Sequence, residues 1–192
     1  MYKGISIKNE LLRKSIHICN SLFAYSLFIF DQREFSIIIG FCTISIILFE
    51  IVRINFQKVN ILFIKIFGPI IRDFEGGGRL TGATYVMISS FFVLVLFDKY
   101  VCITSILIMS YSDTAAAIIG KKYGRTRIFK KTLEGSLAFF VTSLIILLII
   151  APEVSLGLGL IAIIIATLVE SLPINIDDNL SVPLIIALIL SI

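Results

Sequence analysis

One stretch of the sequence, residues 113–135, combines residue types that could bind a nucleotide. It reads DTAAAIIGKKYGRTRIFKKTLEG. In a helix, residues three and four positions apart share one face, and here that face consists of Asp113, Ala116, Ala117, Gly120 and Gly124. It carries one carboxylate and then almost no side-chain bulk, so another surface can come within backbone contact distance. We therefore expect a carboxylate beside an open, glycine-lined surface.

A dense basic loop follows this face and ends in the sequence KKTLEG. No acidic residue interrupts the loop before Glu134. Its basic residues are Lys121, Lys122, Arg125, Arg127, Lys130 and Lys131. Carboxylates are ligands of hard divalent cations, while glycine backbone and cationic side chains suit phosphate groups. The stretch therefore predicts a site for a nucleotide polyphosphate with its metal.

A stripe of polar residues marks the first apolar segment of the chain. Glu10, Arg13, Lys14 and His17 lie at helical spacing, and Ser21 or Ala24 continues the stripe. Such a stripe cannot face lipid, so we expect it to face the protein interior or a water-filled cavity. The alternative is a basic membrane anchor with a snorkelling lysine. That alternative gives Glu10 and His17 no role.

Two further polar features precede the nucleotide stretch. Glu50 and Arg53 form either an ion pair at the membrane interface or a pair that lines the same polar cavity. Residues 72–84 read RDFEGGGRLTGAT, a glycine-rich loop that includes Arg79. A glycine loop at a helix start can bind phosphate through backbone N–H groups, but glycines also form plain turns.

The elements that must position these residues are membrane helices. With 58% hydrophobic residues and a mean hydropathy of +1.03, the chain cannot form a soluble domain with a polar surface. We expect an all-α, polytopic membrane protein with residues 1–192 as one catalytic domain and about 6–7 spans, since about 20 residues cross the hydrocarbon core. The apolar runs are residues 15–30, 35–52, 83–97, 100–119, 136–150, 155–172 and 182–192, the last of which is short for a span. Residues 55–71 read as an interfacial amphipathic segment.

The positions of the charges predict the orientation. The N-terminus, residues 53–79 and residues 121–131 hold nearly all the lysines and arginines, while the other turns are short and near neutral. The positive-inside rule therefore predicts a cytoplasmic N-terminus and an active site that faces the cytoplasm. A transporter would more often carry its polar groups at the midplane. Polar groups gathered at one interface favour chemistry between a soluble anionic cosubstrate and a membrane lipid.

The sequence resembles the CTP-dependent lipid kinases, a family that includes dolichol, phytol and CTP-dependent diacylglycerol kinases. Their nucleotide motif reads D-x-x-A-x-x-x-G-x-x-x-G, five residues, then K-K-T-x-E-G. The matching residues are Asp113, Ala116, Gly120, Gly124, Lys130, Lys131, Thr132, Glu134 and Gly135. The segments from Arg13 to His17, from Leu80 to Thr84 and from Asp177 to Pro183 are similar to shorter family motifs. The likeness covers about residues 10–185 and is strongest to compact prokaryotic members, which implies a prokaryotic cell membrane.

The resemblance implies transfer of the γ-phosphoryl group of CTP to a lipid hydroxyl, with Mg²⁺ as cofactor. It assigns Asp113 to Mg²⁺ or to the hydroxyl proton, Asp177 and Asp178 to the metal, and His17 to a role as a base or a structural hydrogen-bonding residue. Lys131 is the third catalytic candidate. Nucleotide binding falls to Gly120, Gly124, Lys130, Lys131, Thr132, Glu134, Gly135, Arg13, Lys14 and Arg79.

Other classes of membrane protein share parts of this sequence pattern. A phosphatidate cytidylyltransferase also uses CTP and has a related motif, but its Ser-Pro before the lysines is Ile128-Phe129 here, and its PGHGG segment is absent. A small transporter or a helix-packing protein would explain Gly120 and Gly124 but not the basic loop. We expect CTP, the bilayer and a lipid alcohol as partners, with no nucleic acid. The acceptor could be a polyprenol such as dolichol, a phytol-like alcohol or diacylglycerol, and the oligomeric state is open.

Overall fold

The computed structural model describes residues 7–129, 131–150, 152–173 and 175–192. Apart from one short hairpin, the regular elements in these ranges are helices. The first helices are α1 (Ile7–Cys19), α2 (Ser21–Ser26), α3 (Gln32–Asn55), α4 (Gln57–Phe67), α5 (Asp73–Gly76) and α6 (Gly82–Leu96). The remaining elements are α7 (Lys99–Leu107), α8 (Asp113–Tyr123), β1 (Arg127–Ile128), β2 (Lys131–Thr132), α9 (Leu133–Ile150), α10 (Leu156–Ser171) and α11 (Asp178–Leu190).

Three of the described helical segments are long and apolar enough to cross a membrane. They are Gln32–Asn55, Lys99–Tyr123 and Leu133–Ile150. Helices α6, α10 and α11 are apolar but shorter, with 15, 16 and 13 residues. At about 1.5 Å per residue, none of these three reaches the roughly 30 Å of a hydrocarbon core. The all-helical architecture is thus confirmed, with three candidate membrane-spanning segments among the described residues, while six to seven spans and a cytoplasmic N-terminus stay predictions.

The predicted first span is interrupted at Asn20. Its side-chain amide donates to Ser110 Oγ and its side-chain oxygen accepts from Ser90 Oγ, both at 3.3 Å. These bonds tie the junction of α1 and α2 to other helices in the core. The polar stripe faces inward as predicted, because Glu10, Lys14 and His17 are all buried.

The helix that carries Asp113 changes its winding just before that residue. Residues Ile108–Ser112 form a π-helical turn that joins α7 to α8. Such turns occur frequently at functional sites, because the extra residue re-aims the side chains that follow. Ser112 is fully buried and its hydroxyl lies 2.9 Å from that of Ser143 on α9. The site residue Asp113 therefore begins α8 from a fixed position in the core.

Glu50 and Arg53 hold the glycine-rich loop in place. Both side chains are almost fully buried, at 1% and 0% exposure. Arg53 donates to Glu50 and also to the backbone carbonyls of Glu75 and Arg79, at 3.1 and 2.7 Å. Glu50 in turn accepts from the Thr81 hydroxyl at 2.8 Å. The pair therefore supports a loop, and it lines neither of the cavities described below.

Candidate active site

A cleft of about 280 Å³ lies between α1, α8, the first turn of α9 and the end of α10. Its wall combines acidic, basic and very small side chains. The lining residues are Glu10, Arg13, Lys14, Arg72, Asp113, Ala116, Ala117, Gly120, Lys121, Lys131, Thr132, Gly135, Ser136 and Glu170. Much of the predicted face of α8 is therefore in the cleft. Ligand sites are commonly concave pockets with a few convergent polar groups, and this cleft fits that description.

Three carboxylates converge at the edge of this cleft, and two of them, Asp113 and Glu170, line it. Asp113, Glu170 and Asp178 each offer an oxygen, and these oxygens all lie within 4.8 Å of one another. Asp177, a predicted metal ligand, occupies a different position. Its Oδ1 accepts from the Asn179 N–H at 3.0 Å and so caps the start of α11, and its Oδ2 lies 3.4 Å from Arg72. Burial and the neighbouring Asp178 raise the pKa of Asp177, with Arg72 opposing them.

Two lysines pair with the three carboxylates. Lys14 pairs with Asp113, and both side chains are buried. The Lys131 ammonium lies 2.5 Å from Glu170 and 2.9 Å from Asp178. Burial lowers the pKa of Lys131, but Asp178 and Glu170 outweigh it and hold that pKa above its ordinary value. Lys131 therefore carries positive charge in the cleft, whereas burial lowers the pKa of Lys14 and Asp113 opposes that effect.

The carboxylate cluster fits a divalent cation such as Mg²⁺. Hard cations prefer carboxylate oxygens, and Mg²⁺ in particular is often held by one or two carboxylates and substrate phosphates. Glu170 is 4% exposed, yet its Oε2 has no hydrogen-bond partner among the residues that the structure describes. A buried oxygen without a partner is rare, and a bound cation would satisfy it. Asp113, Glu170 and Asp178 are therefore the residues that would hold the metal.

His17 lies behind Asp113 and does not line the cleft. Its Nδ1 is 3.3 Å from Asp113 Oδ2, and its side chain is buried. Of the two roles predicted for His17, this position favours the structural one, since the imidazole contacts the carboxylate from the protein side. The role of His17 as a base stays a prediction.

The hairpin of β1 and β2 brings Lys131 to the cleft. Arg127 pairs with Thr132 and Ile128 with Lys131. Phe129, in the turn, has a φ of 53°, which is uncommon for a residue with a side chain. Glu134 accepts from the Thr126 N–H at 3.1 Å and so fastens the preceding loop. The predicted nucleotide residue Glu134 therefore shapes the loop without lining the cleft.

The three motif glycines have two different surroundings. Gly120 and Gly135 line the cleft and also lie against each other, since a Cβ on Gly120 would meet the Gly135 Cα at 3.4 Å. Gly124 does not line the cleft. A Cβ there would lie 2.2 Å from the Gly120 carbonyl oxygen and 2.6 Å from Thr132 Cγ2. Gly124 therefore permits the close turn from α8 into the hairpin.

The substitution Gly124→Ala is expected to destabilise the protein by about 1–3 kcal/mol, the usual cost of overpacking. Gly157→Ala is the matched control, because a Cβ at Gly157 meets nothing within 4 Å. In a helix that change is favourable by roughly 0.5–1 kcal/mol. Size-exclusion chromatography of heated, detergent-purified samples measures the midpoint temperature of thermal unfolding of each variant. Equal midpoints for the two variants would contradict the assigned role of Gly124.

The other predicted residues divide between the cleft and its surroundings. Arg13 lines the cleft and pairs with Glu10, and Thr132 also lines it. Arg79 is exposed and does not line the cleft. Lys130 lies outside the described residues. Glu170, Ser136 and Arg72 line the cleft without having been predicted as site residues, although Glu170 stands out as a carboxylate at the end of an apolar run.

Comparisons with known proteins identify relatives along most of the chain. An uncharacterised protein of Rickettsia prowazekii is 34% identical over 91% of this chain and 90% of its own length. A CTP-dependent diacylglycerol kinase of Schizosaccharomyces pombe is 32% identical over 71% of this chain and 64% of its own length. A probable phytol kinase of Glycine max is 27% identical over 93% of this chain. The chain belongs to the CTP-dependent lipid kinase family.

This CTP-dependent lipid kinase family member matches only part of the length of several relatives. It spans 45% of the length of the Eremothecium gossypii diacylglycerol kinase, to which it is 30% identical. No protein-family model and no solved structure matches the chain. The relatives that are named for an activity are kinases, so the CDP-lipid synthase alternative is not favoured.

Proposed function

We propose that this protein is a kinase that transfers the γ-phosphoryl group of CTP to the hydroxyl of a membrane lipid. The observation that carries the proposal is the cleft itself, in which three carboxylates and two lysines meet beside the open glycine face of α8. Phosphoryl transfer depends mainly on positioning and on neutralising the charge of the phosphate oxygens. The cleft offers groups for both tasks.

The reaction places clear demands on these groups. The lipid oxygen forms a bond to the γ-phosphorus while the bond from that phosphorus to the β–γ bridging oxygen breaks, and CDP leaves. The hydroxyl proton passes to a carboxylate, for which Asp113 is the candidate. Bound Mg²⁺, held by Asp113, Glu170 and Asp178, would neutralise phosphate charge. Lys131 and Lys14 are the cleft cations placed to bind phosphate oxygens.

The acceptor is an alcohol attached to a long hydrocarbon chain. The named relatives include diacylglycerol kinases and probable phytol kinases, and both acceptors present a hydroxyl at the membrane interface. The cleft lies at the end of the apolar helix α10, and its wall carries several charged side chains that suit a polar cosubstrate. We place the cleft on the cytoplasmic side, and the protein in a prokaryotic cell membrane, on the grounds of the basic loops and of the resemblance.

Position-specific labelling of CTP tests the proposal. The detergent-purified protein with Mg²⁺ is given CTP labelled at either the γ- or the α-phosphate, with diacylglycerol, phytol, polyprenol or phosphatidic acid as acceptor. Label from the γ-position alone is expected in the organic phase, and the accepting alcohol names the substrate. Label from the α-position with phosphatidic acid would establish a CDP-lipid synthase instead. No transfer from either position would refute the kinase proposal, and γ-labelled ATP serves as the control for donor preference.

A further inference from the structure

A second, smaller cavity lies beside the carboxylate cleft. Its volume is about 200 Å³, and it sits between α4 and the chain that leads into and out of α5. It is lined by Ile64, Gly68, Ile71, Arg72 and Gly76. Four of these five residues are aliphatic or glycine, so the cavity suits a hydrocarbon and offers little to a nucleotide.

Arg72 connects the two cavities, because it lines both of them. Its position is fixed at two points. The backbone N–H of Arg72 donates to Glu75 Oε2 at 2.7 Å, and its guanidinium lies 3.4 Å from Asp177 at the start of α11. The apolar cavity and the cleft with its three carboxylates therefore share one polar wall.

Helix α4 gives the apolar cavity access to lipid. None of its residues is buried. Large apolar side chains on it are exposed, among them Ile61, Leu62, Ile66 and Phe67, whereas Lys58 and Lys65 supply charge. An amphipathic helix of this kind lies in the membrane interface with its apolar face among the acyl chains. A lipid at that level can reach Ile64 without crossing the protein.

We propose that this second cavity binds the hydrocarbon chain of the acceptor next to its hydroxyl end, so that the hydroxyl passes Arg72 into the carboxylate cleft. This inference rests on the proposed kinase function and names the acceptor subsite within it. The ligand chemistry is an aliphatic chain that ends in an alcohol. Phytol satisfies it directly, whereas diacylglycerol joins its hydroxyl to the acyl chains through an esterified glycerol unit.

Filling the cavity tests the proposal. In Ile64→Trp the larger ring occupies the space that the chain needs, and we expect the KM for the lipid alcohol to rise about tenfold or more, as for other changes of hydrocarbon fit. The KM for CTP should not change.

Ile66→Trp is the matched control on the same helix, since Ile66 is exposed and does not line the cavity. Because α4 buries no residue, both variants are expected to fold. A KM that stays at the wild-type value in Ile64→Trp, with either diacylglycerol or phytol as acceptor, would overturn the subsite.

Photolabelling provides a readout that does not depend on catalysis. A long-chain alcohol with a diazirine close to its hydroxyl is expected to label residues 61–76 of the wild-type protein and of Ile66→Trp, but not of Ile64→Trp. An excess of phytol or diacylglycerol should compete for this label, while phosphatidylcholine should not. Labelling confined to other segments would overturn the subsite even if the protein is a kinase. Specific labelling without any phosphoryl transfer would instead place the failure in the proposed function.

Discussion

Asp113→Asn is expected to lower kcat for phosphoryl transfer by about 10²–10³-fold, the size of effect seen when one preorganised electrostatic group is removed. The substitution keeps the shape of the side chain and removes the charge shared by the carboxylate cluster and Lys14. The measurement is the rate at which γ-label from CTP reaches the lipid. Asp98→Asn is the control, because Asp98 is an exposed carboxylate at the turn before α7.

The stability of Asp113→Asn needs its own control. Removing one partner of a buried ion pair leaves the other charge buried, which costs about 3–5 kcal/mol. The double variant Lys14→Met with Asp113→Asn removes both charges and is expected to recover much of that stability while staying inactive. A wild-type kcat in Asp113→Asn would remove this carboxylate from the reaction.

Lys131→Ala is expected to reduce kcat/KM by about 10²–10³-fold, since a charged donor to the transferring phosphate is lost. The protein should remain inserted, because Lys131 lies on a short hairpin, but the loss of its pair with the buried Glu170 is expected to lower the stability. Activity is therefore normalised to the folded fraction measured by size-exclusion chromatography. Lys122→Ala is the matched control, as Lys122 is exposed on α8 and does not line the cleft. Full activity in Lys131→Ala would show that the basic loop is not part of the site.

A binding measurement separates the roles of Lys131. Its ammonium contacts Glu170 and Asp178, two of the three residues that would hold the metal. Without CTP, we expect Lys131→Ala to bind Mn²⁺, a probe for Mg²⁺, more tightly than wild type, because two carboxylates lose their counter-charge. Lys122→Ala should bind Mn²⁺ as the wild type does. Weaker binding in Lys131→Ala would contradict the assignment of these carboxylates to the metal.

The sequence predicted those site residues whose relation to one another depends on local spacing along a helix. Asp113, Gly120 and Lys131 line one cleft, and Lys14 on the polar stripe meets Asp113 there. Helical periodicity is a strong signal for such faces. The long helices were also predictable, because their apolar runs are continuous.

What the sequence could not predict depends on distant partners. In the sequence, Glu170 is only a carboxylate in an apolar run. Its contact with Lys131, 39 residues earlier in the chain, is visible only in the structure. Asp177 and Asp178 are adjacent, so spacing cannot tell which one caps α11 and which one contacts Lys131. The break at Asn20 likewise depends on hydrogen bonds to Ser90 and Ser110, far along the chain.

The residues that form ion pairs at the cleft lie far apart in the sequence, and this separation has a consequence for biosynthesis. Lys14 and Asp113 are 99 residues apart in sequence, and Lys131 and Asp178 are 47 apart. A chain emerging from the ribosome therefore carries the lysines and Asp113 into the membrane well before Asp178 arrives. The three carboxylates can meet only once α11 has been made and has packed, so chains that end before Asp178 are expected to lack the complete cluster.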